Sequence, residues 1–136
     1  KQALYFININ NTETQIWTQG QGRYTSNWFP SFDDVNEKVI FSLGITYDKE
    51  YQVVSNGVLK EKKPEVNSIY WQYQMEKPMS SYLLMLAIGK YYKKEFKAKS
   101  KIPLEYYFEN KDASRFEPTY RYSKRIFDFL ERERGE

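Results

Sequence analysis

The 136-residue chain contains no cysteine and no histidine. Without cysteine there is no disulfide framework, no thiolate nucleophile and no thiolate-bound metal. Without histidine there is no Ser–His dyad, no imidazole base near neutral pH and no HExxH zinc motif. These residues on their own are a poor candidate for a complete hydrolase. Neither sign of charge dominates: 21 Lys and Arg face 18 Asp and Glu, a net charge of +3. A nucleic-acid binder of this size carries a larger and more clustered surplus, so no nucleic-acid partner is expected. The longest apolar run, Tyr82 to Ile88, is seven residues. A membrane-spanning helix needs about 20, so no span is expected. The opening Lys1-Gln2-Ala3-Leu4 lacks a signal-peptide layout and reads as a cut end.

Aromatic residues are what the chain has in quantity: 18% of it, with 13 Tyr and 9 Phe in a sequence 40% hydrophobic. That is enough apolar surface for a core and argues against disorder. Most of it is arranged as strands. Residues 3–9 form a β-rich run closed by Asn10-Asn11, and residues 15–19 a second that runs into Gly20 and Gly22. Residues 23–36, with Pro30, Asp33, Asp34 and Asn36, read as an irregular loop. From Lys38 to Tyr47, Val39, Phe41, Leu43 and Ile45 alternate with smaller or polar residues, the pattern of a half-buried strand. Asn56-Gly57 between two β-branched runs predicts a type I′ hairpin, whose two turn residues need φ > 0.

The charged stretch 60–67 with Pro64 reads as a loop, and Ser68 to Met75 as a strand around Tyr70, Trp71 and Tyr73. A buried run from Tyr82 to Ile88 ends at Gly89; residues 90–101 and 103–108 continue extended. After the polar break at Asn110–Ala113 the pattern changes. Glu117-Pro118 opens a helix over about 117–134, with Tyr122, Ile126, Phe129 and Leu130 at helical spacing and Gly135 as its C-cap. The fold class is therefore mainly β, an antiparallel β-sandwich or saddle-like domain with one C-terminal α-helix. A lone helix there suggests the start of a second domain.

The informative stretch for function is Trp17-Thr18-Gln19-Gly20-Gln21-Gly22, followed by Asn27-Trp28-Phe29-Pro30-Ser31-Phe32-Asp33-Asp34. Gln19 and Gln21 are two apart, so on a strand their amides share a face. The flanking glycines allow another backbone to come close. Taken alone, the stretch equally fits polar residues on a solvated strand edge.

Read with its neighbours, it resembles the zinc aminopeptidases typified by aminopeptidase N. Those enzymes carry T-Q-x-[EQ], a loop ending F-P-x-F-D-[ED]-P, a strand with a hydrophobic-x-hydrophobic pattern, a V-S-N-G hairpin and P-M-S-x-Y-L followed by a glycine. Here Thr18, Gln19, Gln21, Phe29, Pro30, Phe32, Asp33, Ser55, Asn56, Gly57, Pro78, Met79, Ser80, Tyr82, Leu83 and Gly89 fall on those positions. No single motif is specific; five in order are. The chain departs from the pattern at Ser26, where an Arg is usual, at Ser31, where a Cys is common, and at Asp34-Val35, where E-P is usual.

The resemblance implies that residues 1–110 are the later part of an N-terminal β domain and 111–136 the start of the catalytic domain. The zinc ligands would lie beyond Glu136, so this stretch would hold no metal and no catalytic residue. It implies that Gln21 accepts hydrogen bonds from the free α-amine of a peptide substrate, with Gln19, Gly20 and Gly22 shaping that wall. An ammonium has three donors and no acceptor, so a fixed amide oxygen suits it. The implied partners are the peptide N-terminus and the catalytic domain of the same chain.

Other features have plainer readings. The six lysines in 90–101, interleaved with Tyr91, Tyr92 and Phe96, resemble a single-strand nucleic-acid surface. Alternation instead puts Lys93, Glu95 and Lys97 on one face and Tyr92 and Phe96 on the other, an ordinary solvated strand. Asp33-Asp34 could pair as acid and base, but capping of neighbouring loop N–H groups suits them better. Asn10-Asn11-Thr12 fits a glycosylation acceptor by pattern only. The rival function is a stand-alone glycan-binding module stacking sugars on Tyr70, Trp71 and Tyr73; one alternating set of these should be core.

Overall fold

The structure is a computed structural model that describes residues 3–10 and 12–134. Asn11, and Gly135 as a C-cap, lie outside the described residues. Among the described residues, nine strands and two helices fall into two compact units, Lys1–Lys90 and Tyr91–Glu136.

In the first unit, β1 (Leu4–Ile9), β2 (Thr12–Thr18), β4 (Gln52–Ser55) and β7 (Leu86–Gly89) make one antiparallel sheet in the order β1-β2-β7-β4. β3 (Lys38–Asp48), β5 (Val58–Pro64) and β6 (Ser68–Ser80) make a second, in the order β3-β6-β5. Ile16, Val53, Leu86 and Ile88 from the first sheet meet Trp71 and Tyr73 from the second in one core. Two sheets closing over a shared apolar layer form the expected sandwich. Tyr73, buried among apolar neighbours, donates its hydroxyl to the carbonyl of Val53 at 2.8 Å and so ties the two sheets. Trp71 and Tyr73 are only 3% and 7% exposed, which takes their rings away from any sugar.

The Asn56-Gly57 reading needs correction. β4 pairs with β7 and β5 with β6, so the dipeptide is a corner between sheets rather than a hairpin. Only Gly57 has positive φ, +88°, where a type I′ turn needs two such residues. The 60–67 stretch also differs: its first half is strand, β5, exposed along its whole length. An edge strand facing water shows no apolar alternation, and Pro64 is tolerated there because its missing N–H would point outward. On β3, Phe41 is buried and Leu43 and Ile45 half-buried, as alternation requires, but Val39 is exposed. Between Val39 and Phe41 the register slips past Glu76, Lys77 and Pro78 of β6. Pro78 brings no N–H to that break in the ladder.

In the second unit, β8 (Tyr91–Lys97) and β9 (Pro103–Glu109) form a two-stranded hairpin. A hairpin alone is marginal in water. Here α1 (Ala113–Tyr120) lays Phe116, 4% exposed, onto the rings of Phe96, Tyr106 and Phe108. The cations of the lysine-rich stretch serve this unit: Lys93 pairs with Glu95 and Glu105, and Lys94 lies 4.2 Å over the Phe116 ring. The predicted single helix from 117 is two, α1 and α2 (Ser123–Arg134). A short 3-10 turn at Asn110–Asp112 starts α1 early, which leaves Pro118 inside it. Pro118 cannot donate to the turn before it, and α1 stops two residues later. Among the described residues no helix is long and apolar enough to cross a membrane, which says nothing of crossing by strands.

Candidate functional site

The T-Q-G-Q-G stretch leaves β2 at Thr18, so Gln19 and Gln21 lie past its end, Gln21 on a turn, and not, as alternation suggested, on a strand. They still come together: the Gln19 amide Nε2 donates to Gln21 Oε1 at 3.0 Å, and both side chains are exposed. Everything around them is tied down. The Thr18 hydroxyl accepts from the Leu86 N–H at 2.9 Å, and the Gln19 N–H donates to the Ala3 carbonyl at 2.8 Å.

Gly20 is buried, and a Cβ there would stand 2.7 Å from both the Tyr82 carbonyl oxygen and Thr25 Oγ1. No real side chain fits that gap. Gly22 and Arg23 both take left-handed φ, +77° and +74°, and turn the chain into a 3-10 turn at Thr25–Asn27. Thr25 is fully buried and donates its hydroxyl to the Gly20 carbonyl at 3.4 Å.

The F-P-S-F-D-D loop is held the same way. Asp33 Oδ1 accepts from the Ser26 N–H at 3.1 Å, and Oδ2 from the Ser26 hydroxyl. Asp34 Oδ1 accepts from the Asn36 N–H at 2.9 Å. Both aspartates cap loop donors, as their sequence setting suggested, and Ser26 supplies two of those donors where an Arg is usual. From β6 and the turn after it, Ser80 donates to the Val35 carbonyl at 2.5 Å and Ser81 to the Phe32 carbonyl at 2.9 Å.

At the inter-sheet corner, Asn56 Oδ1 accepts from the Met85 N–H at 2.6 Å and Ser55 donates to the Met85 carbonyl at 2.7 Å. The motifs, far apart in sequence, therefore fasten one another. Their partners lie up to 68 residues apart, and pattern alone did not reveal those bonds.

Gln21, Gly22, Arg23, Asp33, Val35, Ser81 and Tyr82 line a cavity of about 240 Å³. An apolar hollow of about 410 Å³ is walled by Phe29, Pro30, Phe32 and Val39. Ser31 also lines it, with its hydroxyl buried and lacking a hydrogen-bond partner. Sequence reasoning gave a site role to Gln19, Gly20, Gln21 and Gly22 but none to Arg23, and placed Tyr82 only on a motif position. An arginine beside the glycines was the available signal. Among the described residues, no three Asp, Glu, His or Cys side chains cluster as a metal site.

A family model of the peptidase M1 N-terminal domain matches residues 2–83, which include the T-Q-G-Q-G stretch, the F-P-S-F-D-D loop and the inter-sheet corner at Ser55–Gly57. The chain belongs to the peptidase M1 N-terminal domain family. Curated relatives agree. Mouse (Mus musculus) glutamyl aminopeptidase is 31% identical over 106 residues, 76% of this chain and 11% of its own length. The human (Homo sapiens) glutamyl aminopeptidase is 30% identical over 104 residues, again 76% and 11%. A leucyl aminopeptidase of Saccharolobus solfataricus is 32% identical over 88 residues, 65% and 11%. The chain thus spans about a tenth of the length of these M1 relatives. The M1 motifs split into two kinds of residue. Thr18, Gly20, Asp33, Ser55, Asn56 and Ser80 build the wall, while Gln19 and Gln21 stand on it.

Proposed function

We propose that this chain is the substrate-facing N-terminal β region of a zinc-dependent aminopeptidase that removes N-terminal residues from peptides. Residues 1–110 are the later part of the β domain, and residues from about 111 open the catalytic domain. In this reading Gln21 holds the substrate's free α-ammonium, with Gln19 and the backbone of Gly20 and Gly22 shaping the wall that carries it. The peptide N-terminus and the catalytic domain of the same chain are the partners. The relatives' names differ in the residue removed, glutamyl or leucyl, and share the aminopeptidase activity.

The observation that carries this is the Gln19–Gln21 pair, exposed beside motif side chains, Thr18, Asp33, Asn56 and Ser80, that are spent on structure. A carbonyl oxygen has two lone pairs. The bond from Gln19 occupies one on Gln21 Oε1 and leaves the other for an ammonium N–H, with Gln19 Oε1 as a second acceptor. A neutral amide does this without placing another carboxylate in the site. The contribution is binding and register: an amine held at fixed range sets which peptide bond reaches the catalytic groups.

This chain holds no zinc ligands, having neither His nor Cys and no acidic cluster among its described residues. In this reading the zinc ligands and the bond-breaking groups belong to the catalytic domain. The test is to assay the protein that carries this segment and residues 1–136 alone on an aminoacyl chromogenic substrate. The long protein should hydrolyse the free-amine substrate, chelator-sensitively, and spare its N-acetylated form, while the short one stays inert. Chelator-sensitive hydrolysis by residues 1–136 alone would refute the division of labour.

A further inference from the structure

We infer that the outward face of α2, an apolar stripe beside a row of arginines, docks onto the part of the same chain that follows Glu136. The surface it meets is an apolar strip edged with carboxylates. This rests on the reading that residues from about 111 open a catalytic domain, and it names the face by which they join it.

The helix is turned the wrong way round for an isolated unit. Ser123, Lys124, Phe127, Asp128 and Glu131 are half-buried, and this mostly polar face is fastened to the turn between β8 and β9. The Lys99 N–H donates to Asp128 Oδ1 at 2.8 Å, and the Ser100 hydroxyl to Glu131 Oε1 at 2.7 Å. Tyr122, just before the helix, and Ile126, Phe129 and Leu130 within it recur at helical spacing on the other side. They are 53%, 56%, 50% and 49% exposed, and no residue of α2 is buried. A surface helix ordinarily turns its apolar stripe to the core, because burial of that stripe is what holds the helix. A stripe left outward marks an interface.

Charge gives the chemistry of the occupant. Lys99, Arg121, Lys124, Arg125 and Arg132 line a cleft of about 1040 Å³ that Phe129 of the stripe also lines. Its two acids are already engaged, Asp128 with the Lys99 N–H and Lys124, Glu131 with Ser100. Among the described residues no carboxylate pairs with Arg121 or Arg125. Such guanidiniums suit carboxylates brought from outside. A second copy is a poor match, since self-pairing of this face would bring both arginine rows, and no free acid, into one interface. The chain spans 11% of the mouse relative's length, so most of such a protein lies outside this structure and can supply the surface.

The test places Ile126→Cys, and separately Leu130→Cys, in the full-length protein and follows thiol alkylation by mass spectrometry of the peptide carrying the site. Each native rate is compared with that of the same variant in urea. Both thiols should react at least about tenfold more slowly in the native protein. Arg125→Glu combined with Ile126→Cys should reduce that protection by about 2- to 5-fold. Native rates equal to the unfolded ones would overturn the docking. Protection that fades on dilution would give the face to a second copy, and protection indifferent to Arg125→Glu would remove the carboxylates. Chelator-sensitive hydrolysis of the free-amine substrate by the wild-type protein is measured alongside. An active enzyme with open thiols defeats the docking alone; protected thiols in a protein without that activity defeat the aminopeptidase reading alone.

Discussion

Replacing Gly57 tests whether the inter-sheet corner is built as described. At φ +88° a side chain costs about 1–2 kcal/mol, because its Cβ crowds the neighbouring carbonyl. The second cost is contact. A Cβ on Gly57 would fall 2.2 Å from the Gln74 carbonyl oxygen and 2.7 Å from the Met75 nitrogen. That backbone cannot easily withdraw: Gln74 is paired with Ser42 on one side and Val58 on the other. Forcing such a shift costs about 1–3 kcal/mol more.

Gly57→Ala should therefore lose about 2–5 kcal/mol in urea denaturation. Tryptophan fluorescence is the right probe, because all three tryptophans, Trp17, Trp28 and Trp71, lie in the first unit. Gly57→Asn separates the two costs, since asparagine tolerates the left-handed region but still carries a Cβ. It should be nearly as destabilised as the alanine variant. Wild-type stability in Gly57→Asn would refute the close approach and leave only the φ requirement.

Two further predictions concern other elements. The Ser31 hydroxyl is buried without a partner. Ser31→Ala should stabilise the first unit by about 1 kcal/mol, since it removes an unsatisfied group; a loss of stability in the same denaturation assay would mean that the hydroxyl is bonded. In the second unit, the Asp128 carboxyl is held below its ordinary value of 3.8, first by the Lys99 N–H at 2.8 Å and then by the Lys124 ammonium. A depressed carboxyl stabilises the fold fully above the unfolded value, and the contribution is lost as pH falls through the folded one. The Lys99 amide resonance should accordingly titrate below pH 3.8 and not in Asp128→Asn; a midpoint above 3.8 contradicts the bond.

The sequence made some of this legible and hid the rest for physical reasons. Period-two alternation marked β3 and the core face of Trp71 and Tyr73, because burial on one face leaves that trace. It failed at β5, whose exposed edge has no apolar face to show. Asn56-Gly57 was rightly a turn, but turn chemistry is local and does not choose the strand's partner. Pro118 looked like a first-turn residue because the 3-10 turn at Asn110–Asp112 carries no strong signal.

At the site, order and spacing of the motifs pointed to Gln19 through Gly22. The bonds that hold the wall, Thr18 to Leu86 and Ser81 to Phe32, join residues far apart in sequence and leave no local pattern. Arg23 was passed over because a single charged residue in a loop has no periodicity to read.

The central claim is that Gln21 binds the substrate's ammonium, and a double cycle in the full-length protein measures that contact directly. One arm compares the wild type with Gln21→Ala; the other compares a substrate-like inhibitor with its analogue lacking the α-amine. Inhibition constants from the four combinations give the coupling between the amide and the amine. A hydrogen bond to a charged group predicts about 1.5–3 kcal/mol, a loss of roughly 10- to 150-fold in affinity for the amine-bearing inhibitor alone. Equal losses for both inhibitors, or none for either, would show that Gln21 does not touch the amine.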